Sequence, residues 1–253
     1  VWKIMNPSIK ILILNWNGSV VLKSCLDSVE KINYDNFSTV VIDNFSDDDS
    51  CPMVEKYFPN VELFKLDHNY GYAKGYNKYF NKYQYSESEF ILLLNNDTIV
   101  KKDILSGFIN ATMKYGTDHI YGPKIYYMHN PEKIWYAGGV IDLKKLKIFH
   151  LGIRKVDSSD FSNSVQTDYV TGCCLFTSRN VMKTLQGFDE RFNMYGEDVD
   201  LCIRGYKNNI MSYYYPDVEI FHHVSWSLSG KRKIMKFIKK FNSLIRLYRK
   251  HCL

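Results

Sequence analysis

Glu197, Asp198 and Asp200 lie within four positions of one another in MYGEDVDLCIR, residues 194–204. Carboxylates this close repel unless the fold separates or uses them. One reading sets Glu197 and Asp198 in the first turn of a helix, where the macrodipole stabilises anions by ~0.3–1 kcal/mol each. Asp200 then pairs with Arg204 one turn later. A second reading aims one carboxylate at an acceptor hydroxyl as general base, its proton affinity raised by its neighbours. The two are compatible if Glu197 and Asp200 anchor the turn while Asp198 faces a cleft.

LLLNNDTIV puts Asn95 and Asp97 two apart at the end of an apolar run. Oxygen ligands leaving a buried strand suit Mg²⁺ or Mn²⁺ held partly by substrate phosphates; equally, Asp97 or Thr98 caps the helix that follows. His222-His223 closes VEIFHH. Such a histidine is structural unless a carboxylate stands beside it, in which case it suits Mn²⁺. Spacing does not show whether Asp97 is that carboxylate. Asp43 either accepts hydrogen bonds from a nucleotide's ring N–H or ribose hydroxyl, or serves as a cap or turn residue in DNFSDDDS. NWNGSV after the first apolar run has no GxGxxG, and GxxxxGK[ST] occurs nowhere, which argues against a Rossmann oxidoreductase.

These residues need elements to position them. IKILILN (9–15), STVVID (38–43), VELFKL (61–66) and FILLLNN (90–96) read as buried strands. Helical patterns separate them, through Val20–Val29, toward Tyr57, from GYAKGYNKYF, and from about Lys102 to Tyr115. Buried strands alternating with helices predict a mostly parallel sheet covered on both faces, an α/β fold with ligands outside the carboxyl ends of the strands. Beyond about residue 130 the rhythm changes. IWYAGGVIDL and KKLKIFHLGI read as a hairpin-like insertion, DYVTGCCLFTS as a buried strand with a helix to Gly187, and MSYYYP and VEIFHH as two further strands. No linker is evident, so one domain is expected, with two halves (1–130 and 131–229) and a basic amphipathic helix (230–253).

Composition narrows the function classes. With 45% hydrophobic and 15% aromatic residues, the 253-residue chain can build a sizeable core. No run approaches the ~20 apolar residues of a membrane span. The opening VWKIMNPS has no signal-peptide core, and the six cysteines lack a CxxC pair, so reduced thiols and a cytosolic location are expected. Nine of the basic residues fall between Lys231 and Lys250 with no acid among them, leaving 24 basic against 27 acidic elsewhere. A nucleic-acid-binding surface spread over the fold is therefore not expected. Instead, Ile234, Phe237, Ile238, Phe241, Leu244, Ile245 and Tyr248 share one helical face. That face either packs on the domain or lies in a lipid headgroup layer.

Taken in order, LNWNG (14–18), VIDNFSDDDS (41–50), NYGYAKGYN (69–77), LLLNNDT (92–98), GPKI (122–125), AGG (137–139), TGCCLF (171–176), GFDERFNMYGEDVDLCIR (187–204) and His222 with Ser225 and Ser227 span almost the whole chain. This arrangement resembles the family 2 inverting glycosyltransferases of GT-A fold, especially the rhamnosyltransferase-like subgroup. The resemblance implies transfer from a nucleotide-diphosphate sugar to a hydroxyl of a glycan or lipid-linked acceptor. It implies nucleotide contacts from Asn15, Asn17, Gly18, Asp43, Asn69, Gly71 and Asn96. Asp97 and His222 would hold a divalent cation, Mg²⁺ or Mn²⁺. Asp198 would be the base, with Glu197 orienting the acceptor or the helix. Lipid-linked acceptors in the family also imply loose attachment to the cytoplasmic membrane face. Two departures stand out: the metal-binding DxD reads Asn95-Asn96-Asp97, and Ser225 replaces a usual glycine. The competing class is a module of the same fold that binds nucleotide or glycan without catalysis. A sugar-phosphate nucleotidyltransferase would want a glycine-rich basic loop that NWNGSVVLKS does not supply.

Overall fold

A computed structural model describes the chain apart from residues 1–5, 86, 193 and 225–229, with side chains of the last helix described from 237 onward. IKILILN forms β1 (Ile9–Asn15), followed by α1 (Ser19–Val29), β2 (Phe37–Asp43), α2 (Ser50–Tyr57), β3 (Glu62–Lys65), α3 (Gly71–Lys82) and β4 (Phe90–Asn95). Successive strand residues point to opposite faces. Ile11 and Ile13 accordingly join the cluster under α1, while Leu12 joins the cluster under α3. Burial on both faces is why these strands read as unbroken apolar runs. β1 pairs in parallel with β2 and with β4, and β3 adds in parallel to β2. The register sets Asn15 opposite Asp43 and Leu14 opposite Asn95, so the polar strand ends emerge together.

The chain continues through β5 (Thr98–Val100), α4 (Ile104–Tyr115), β6 (Ile120–Tyr127), β7 (Asn130–Tyr136), β8 (Gly139–Asp142), β9 (Lys147–His150), β10 (Val165–Thr167), β11 (Cys174–Ser178), α5 (Arg179–Thr184), α6 (Glu197–Lys207), β12 (Ser212–His222) and α7 (Gly230–His251). One ten-stranded sheet runs β10-β12-β6-β11-β4-β1-β2-β3, with β5 attached to β12 and β7 to β6. β11 is antiparallel to both neighbours and joins the parallel strands of the first half to the rest. β8 and β9 form the separate hairpin expected of the insertion, although Ile134–Tyr136 belongs to β7 in the main sheet.

The second half of the chain differs from its sequence reading in definite ways. MSYYYP and VEIFHH are one strand, β12, whose register against β6 shifts between Tyr215 and Glu219. Pro216 cannot donate a ladder hydrogen bond, so it produces an irregularity rather than an end. Only Cys174–Ser178 of DYVTGCCLFTS is strand, and the helix after it stops at Thr184. Gln186 and Gly187 both take left-handed conformations, which no helix continues. Residues 120–127, carrying GPKI, form a strand buried along its whole length.

Candidate active site

Asp97 and His222 meet because β5 and β12 pair antiparallel, with Thr98 opposite His222. The backbone N–H of His223 donates to the Asp97 carbonyl at 2.8 Å and locks the junction. Nε2 of His222 stands 3.2 Å from Oδ1 of Asp97. The contact has the distance but not the geometry of a hydrogen bond, and both Asp97 Oδ1 and His222 Nδ1 are buried without a partner. A buried carboxylate oxygen facing an imidazole nitrogen across such a gap suits a shared cation. Among the described residues no group of three or more metal-ligating side chains gathers. Two protein ligands with the rest from phosphate and water is the usual manner of Mg²⁺ and Mn²⁺ at nucleotides. Asp97 caps no helix: α4 begins at Ile104, with Asp103 at its cap position. Ser225 and Ser227, which follow His222 in the sequence, lie outside the described residues.

The crowded carboxylates sit in the first turn of α6, after Tyr195 and Gly196, both left-handed at φ 71° and 90°. A helix turns 100° per residue, so Asp198 and Asp200 point to nearly opposite sides. Asp200 is fully buried and accepts from Arg204 Nε at 2.8 Å, Lys250 Nζ at 2.6 Å and His251 Nε2 at 2.8 Å. Arg204 also donates to the carbonyls of Leu185 and Gly187. This pairing, expected only as far as Arg204, ties α6 to α7 and to the turn after α5. Asp198 faces the other way: Oδ2 accepts from the Gly172 N–H at 2.9 Å and Oδ1 from the Val199 N–H at 2.9 Å.

Burial raises the proton affinity of both remaining acids. Glu197 is pushed up to about 8 by desolvation and then by the charge of Asp198, and its Oε2 has no partner. Desolvation also raises Asp198, against the pull of the Gly172 and Val199 amides. The two acids titrate as a pair, and of the two only Asp198 has its anion supported by backbone N–H groups, those of Gly172 and Val199. The Asp198 side and the Asp97 side are joined by three residues. Gly172 donates to Asp198, and the next residue, Cys173, accepts at its carbonyl from the Asn95 N–H at 2.9 Å.

The residues expected at the nucleotide converge on the loops after β1 and β2. Asn15 is buried; its Nδ2 donates to Asp43 and Ser46, and its Oδ1 accepts from Asn96 Nδ2 at 2.7 Å. Gly18 is required beside this pair, because a Cβ there would lie 2.3 Å from Asn96 Nδ2. Asn17 donates its N–H to Ser46 Oγ at 3.0 Å and exchanges hydrogen bonds with Asp47, joining the two loops. Asp43, 3% exposed, accepts from the Ser46 N–H at 3.0 Å. It therefore holds its turn, with lone pairs left over for a ligand. Asn69 accepts from Asn44 Nδ2 and from the N–H of Gly71, whose φ of 75° opens α3. Asn69 and Gly71 thus shape this rim.

Several residues near the carboxylates and the Asp97–His222 pair had no local sequence signal. Trp135 of β7 packs edge-on against His222 and against His150, at 4.5 Å in each case. Burial pushes His150 down to about 4, so its ring is neutral at physiological pH. From α7, Lys240 lies 5.2 Å over the Tyr195 ring and Ser243 donates to the Met194 carbonyl at 3.3 Å. α7 thus runs along the turn that presents Glu197 and Asp198. Its second half packs through Leu247, while Phe237, Ile238 and Phe241 remain 70%, 47% and 48% exposed.

A family model described as "Glycosyltransferase like family 2" matches residues 7–240. Rhamnosyltransferase WbbL of Escherichia coli is 28% identical over 64% of this chain and 61% of its own length. The N-acetylglucosaminyl-diphospho-decaprenol L-rhamnosyltransferase of Mycobacterium tuberculosis is 42% identical, over 23% of this chain and 19% of its own length. The chain thus spans less than two thirds of either relative. Among solved structures, the mannosyltransferase PcManGT of Pyrobaculum calidifontis, in complex with GDP-Man and Mn²⁺, superposes with a TM-score of 0.67 at 15% identity, covering 96% of this chain and 65% of that one. GalNAc-T7 with UDP, GalNAc and Mn²⁺ gives a TM-score of 0.72 at 15% identity, covering 97% and 49%. These likenesses identify the fold as GT-A.

Proposed function

The chain belongs to glycosyltransferase-like family 2, and on that premise we propose that it moves a hexosyl group from a nucleotide-diphosphate sugar to a hydroxyl of a glycan or lipid-linked acceptor, with inversion. The observation that carries this reading is the link through Gly172 and Cys173, which ties Asp198 to the strand end that leads into Asp97. A base and a diphosphate-side charge site at one sheet edge are what a single displacement needs. Asp198 takes the proton of the acceptor hydroxyl as its oxygen bonds the anomeric carbon. The bond to the nucleotide diphosphate breaks on the opposite face, so the configuration inverts. Glu197, whose proton affinity burial and Asp198 both raise, shares the pair's proton and orients the acceptor or the helix, while the Gly172 and Val199 amides favour the anion on Asp198.

Asp97 and His222 fit a divalent cation, since the buried Oδ1 has no other partner. When bound, the cation offsets the negative charge that develops on the leaving diphosphate. Asn15, Asn17, Gly18, Asp43, Asn69, Gly71 and Asn96 would form the nucleotide side, as the joined loops after β1 and β2 suggest. Incubating purified protein with UDP-, dTDP- and GDP-sugars and Mn²⁺, followed by mass spectrometry, tests the activity. One donor should be consumed, by transfer or slow hydrolysis. Binding of a nucleotide diphosphate without consumption of any donor would favour the non-catalytic binding module.

The acceptor side extends the proposal to a membrane surface. Among the described residues no helix is long and apolar enough to cross a membrane. α7 instead exposes Phe237, Ile238 and Phe241 within a segment holding nine basic residues and no acid. Such a face settles into anionic headgroups at ~1 kcal/mol per basic residue near the surface. Sedimentation with anionic vesicles should bring the protein down at low salt and less so at high salt. Neutral vesicles should recover far less. Equal recovery in every supernatant would leave α7 only its packing role.

A further inference from the structure

Phe45 occupies a position that the packing of the fold does not explain. Its backbone takes φ 67°, a left-handed conformation unfavourable for a large side chain, yet its ring is 56% exposed. Both neighbours are pinned. Asn44 is buried, donating to Asn69 Oδ1 at 3.0 Å and to the Gly71 carbonyl at 3.2 Å, and accepting from the Tyr70 N–H at 2.9 Å. Ser46 donates its N–H to Asp43 Oδ2 and accepts at Oγ from the Asn17 N–H, both at 3.0 Å. The turn between them projects Phe45 outward, two residues beyond Asp43, at the carboxyl end of β2. Glycine or asparagine would meet the same turn with less strain.

His68 flanks the Phe45 ring on one side, 6.3 Å away and tilted by 37°. Trp16, also 56% exposed, immediately precedes the Asn17 that bonds Ser46. Backbone strain with an unburied aromatic at a ligand-facing strand end is a mark of binding function. We propose that Phe45 is a stacking platform for the nucleobase of the donor, placing the base edge within reach of Asp43. This rests on the donor reading above. Stacking tolerates any base, since every base has a π-face. Phe45 would therefore supply affinity, while Asp43 favours bases presenting a ring N–H.

The test is calorimetric titration of the whole chain and of Phe45→Asn, in Mn²⁺, with UDP, dTDP, GDP and inorganic pyrophosphate. Phe45→Asn should weaken the nucleotide that the wild type binds best by roughly 5- to 100-fold. Pyrophosphate binding should stay within twofold, and the melting temperature should hold or rise as the strain is relieved. Phe45→Trp should keep most of the affinity. Nucleotide affinity within twofold of wild type in Phe45→Asn overturns the proposal, and so does an equal loss for pyrophosphate, which would mean a collapsed loop. A wild-type chain that binds none of the three nucleotides removes the donor reading itself, a failure distinct from either.

Discussion

Asp198→Asn should lower the transfer rate by about 10²–10⁴-fold, the contribution of a positioned general base, while nucleotide binding and folding change little. The amide is nearly isosteric and can still accept from the Gly172 N–H at one atom. It cannot take a proton at neutral pH. In the wild type the rate should fall with acid above the ordinary aspartate range, because burial raises the pKa of Asp198 and only its charged form accepts the proton. The sign follows: lowering the pH through the raised value protonates the base and stops transfer. Stopped or quenched assays of both proteins across pH 4–9 (about the working range of a carboxylate base) give the answer. A mutant within tenfold of wild type would falsify the assignment of the base, and Glu197, the other acid of the pair, would become the candidate.

What could be read from sequence was what local pattern encodes. β1, β2 and β4 are covered on both faces, so each appears as an apolar run ending in a polar residue at the carboxyl end of its strand. The α6 motif was legible for the same reason: its acids, its Gly196 turn and its apolar stripe are contiguous. β6 was not, because Gly122 and Pro123 interrupt a strand whose burial comes from the sheet around it. Pro216 made one strand look like two. The long-range contacts carry no local signal, and only the family resemblance brought Asp97 and His222 together. Asp97 meets His222 through the register of β5 on β12, and Asp200 meets Lys250 and His251 through the packing of α7 on α6. The basic tail reads as an amphipathic helix that either packs or meets lipid; that its last turn binds a buried carboxylate on the far side of the helix carrying Asp198 was not legible.

Removing the cation should silence the enzyme by a different route. Treatment with EDTA should abolish transfer, with Mn²⁺ or Mg²⁺ restoring it, because the leaving diphosphate then has no cation opposite its developing charge. Asp97→Ala should reproduce that loss and resist rescue at ordinary metal concentrations. Only His222 would remain of the pair, and the DxD-like segment already has asparagine at position 95. The two effects must also separate the parts of the donor. Affinity for the nucleoside diphosphate should drop at least tenfold, on the order of 1.4 kcal/mol, whereas affinity for the nucleoside alone should hold, since Asp43 and the loops after β1 and β2 are untouched. Melting temperature should change little: the side chain of Asp97 is partly exposed, and its buried Oδ1 makes no hydrogen bond that the substitution would break. Unchanged diphosphate affinity under both chelation and Asp97→Ala would mean that the Asp97–His222 pair holds no metal. The 3.2 Å approach of the two side chains would then be a feature of the β5–β12 junction alone.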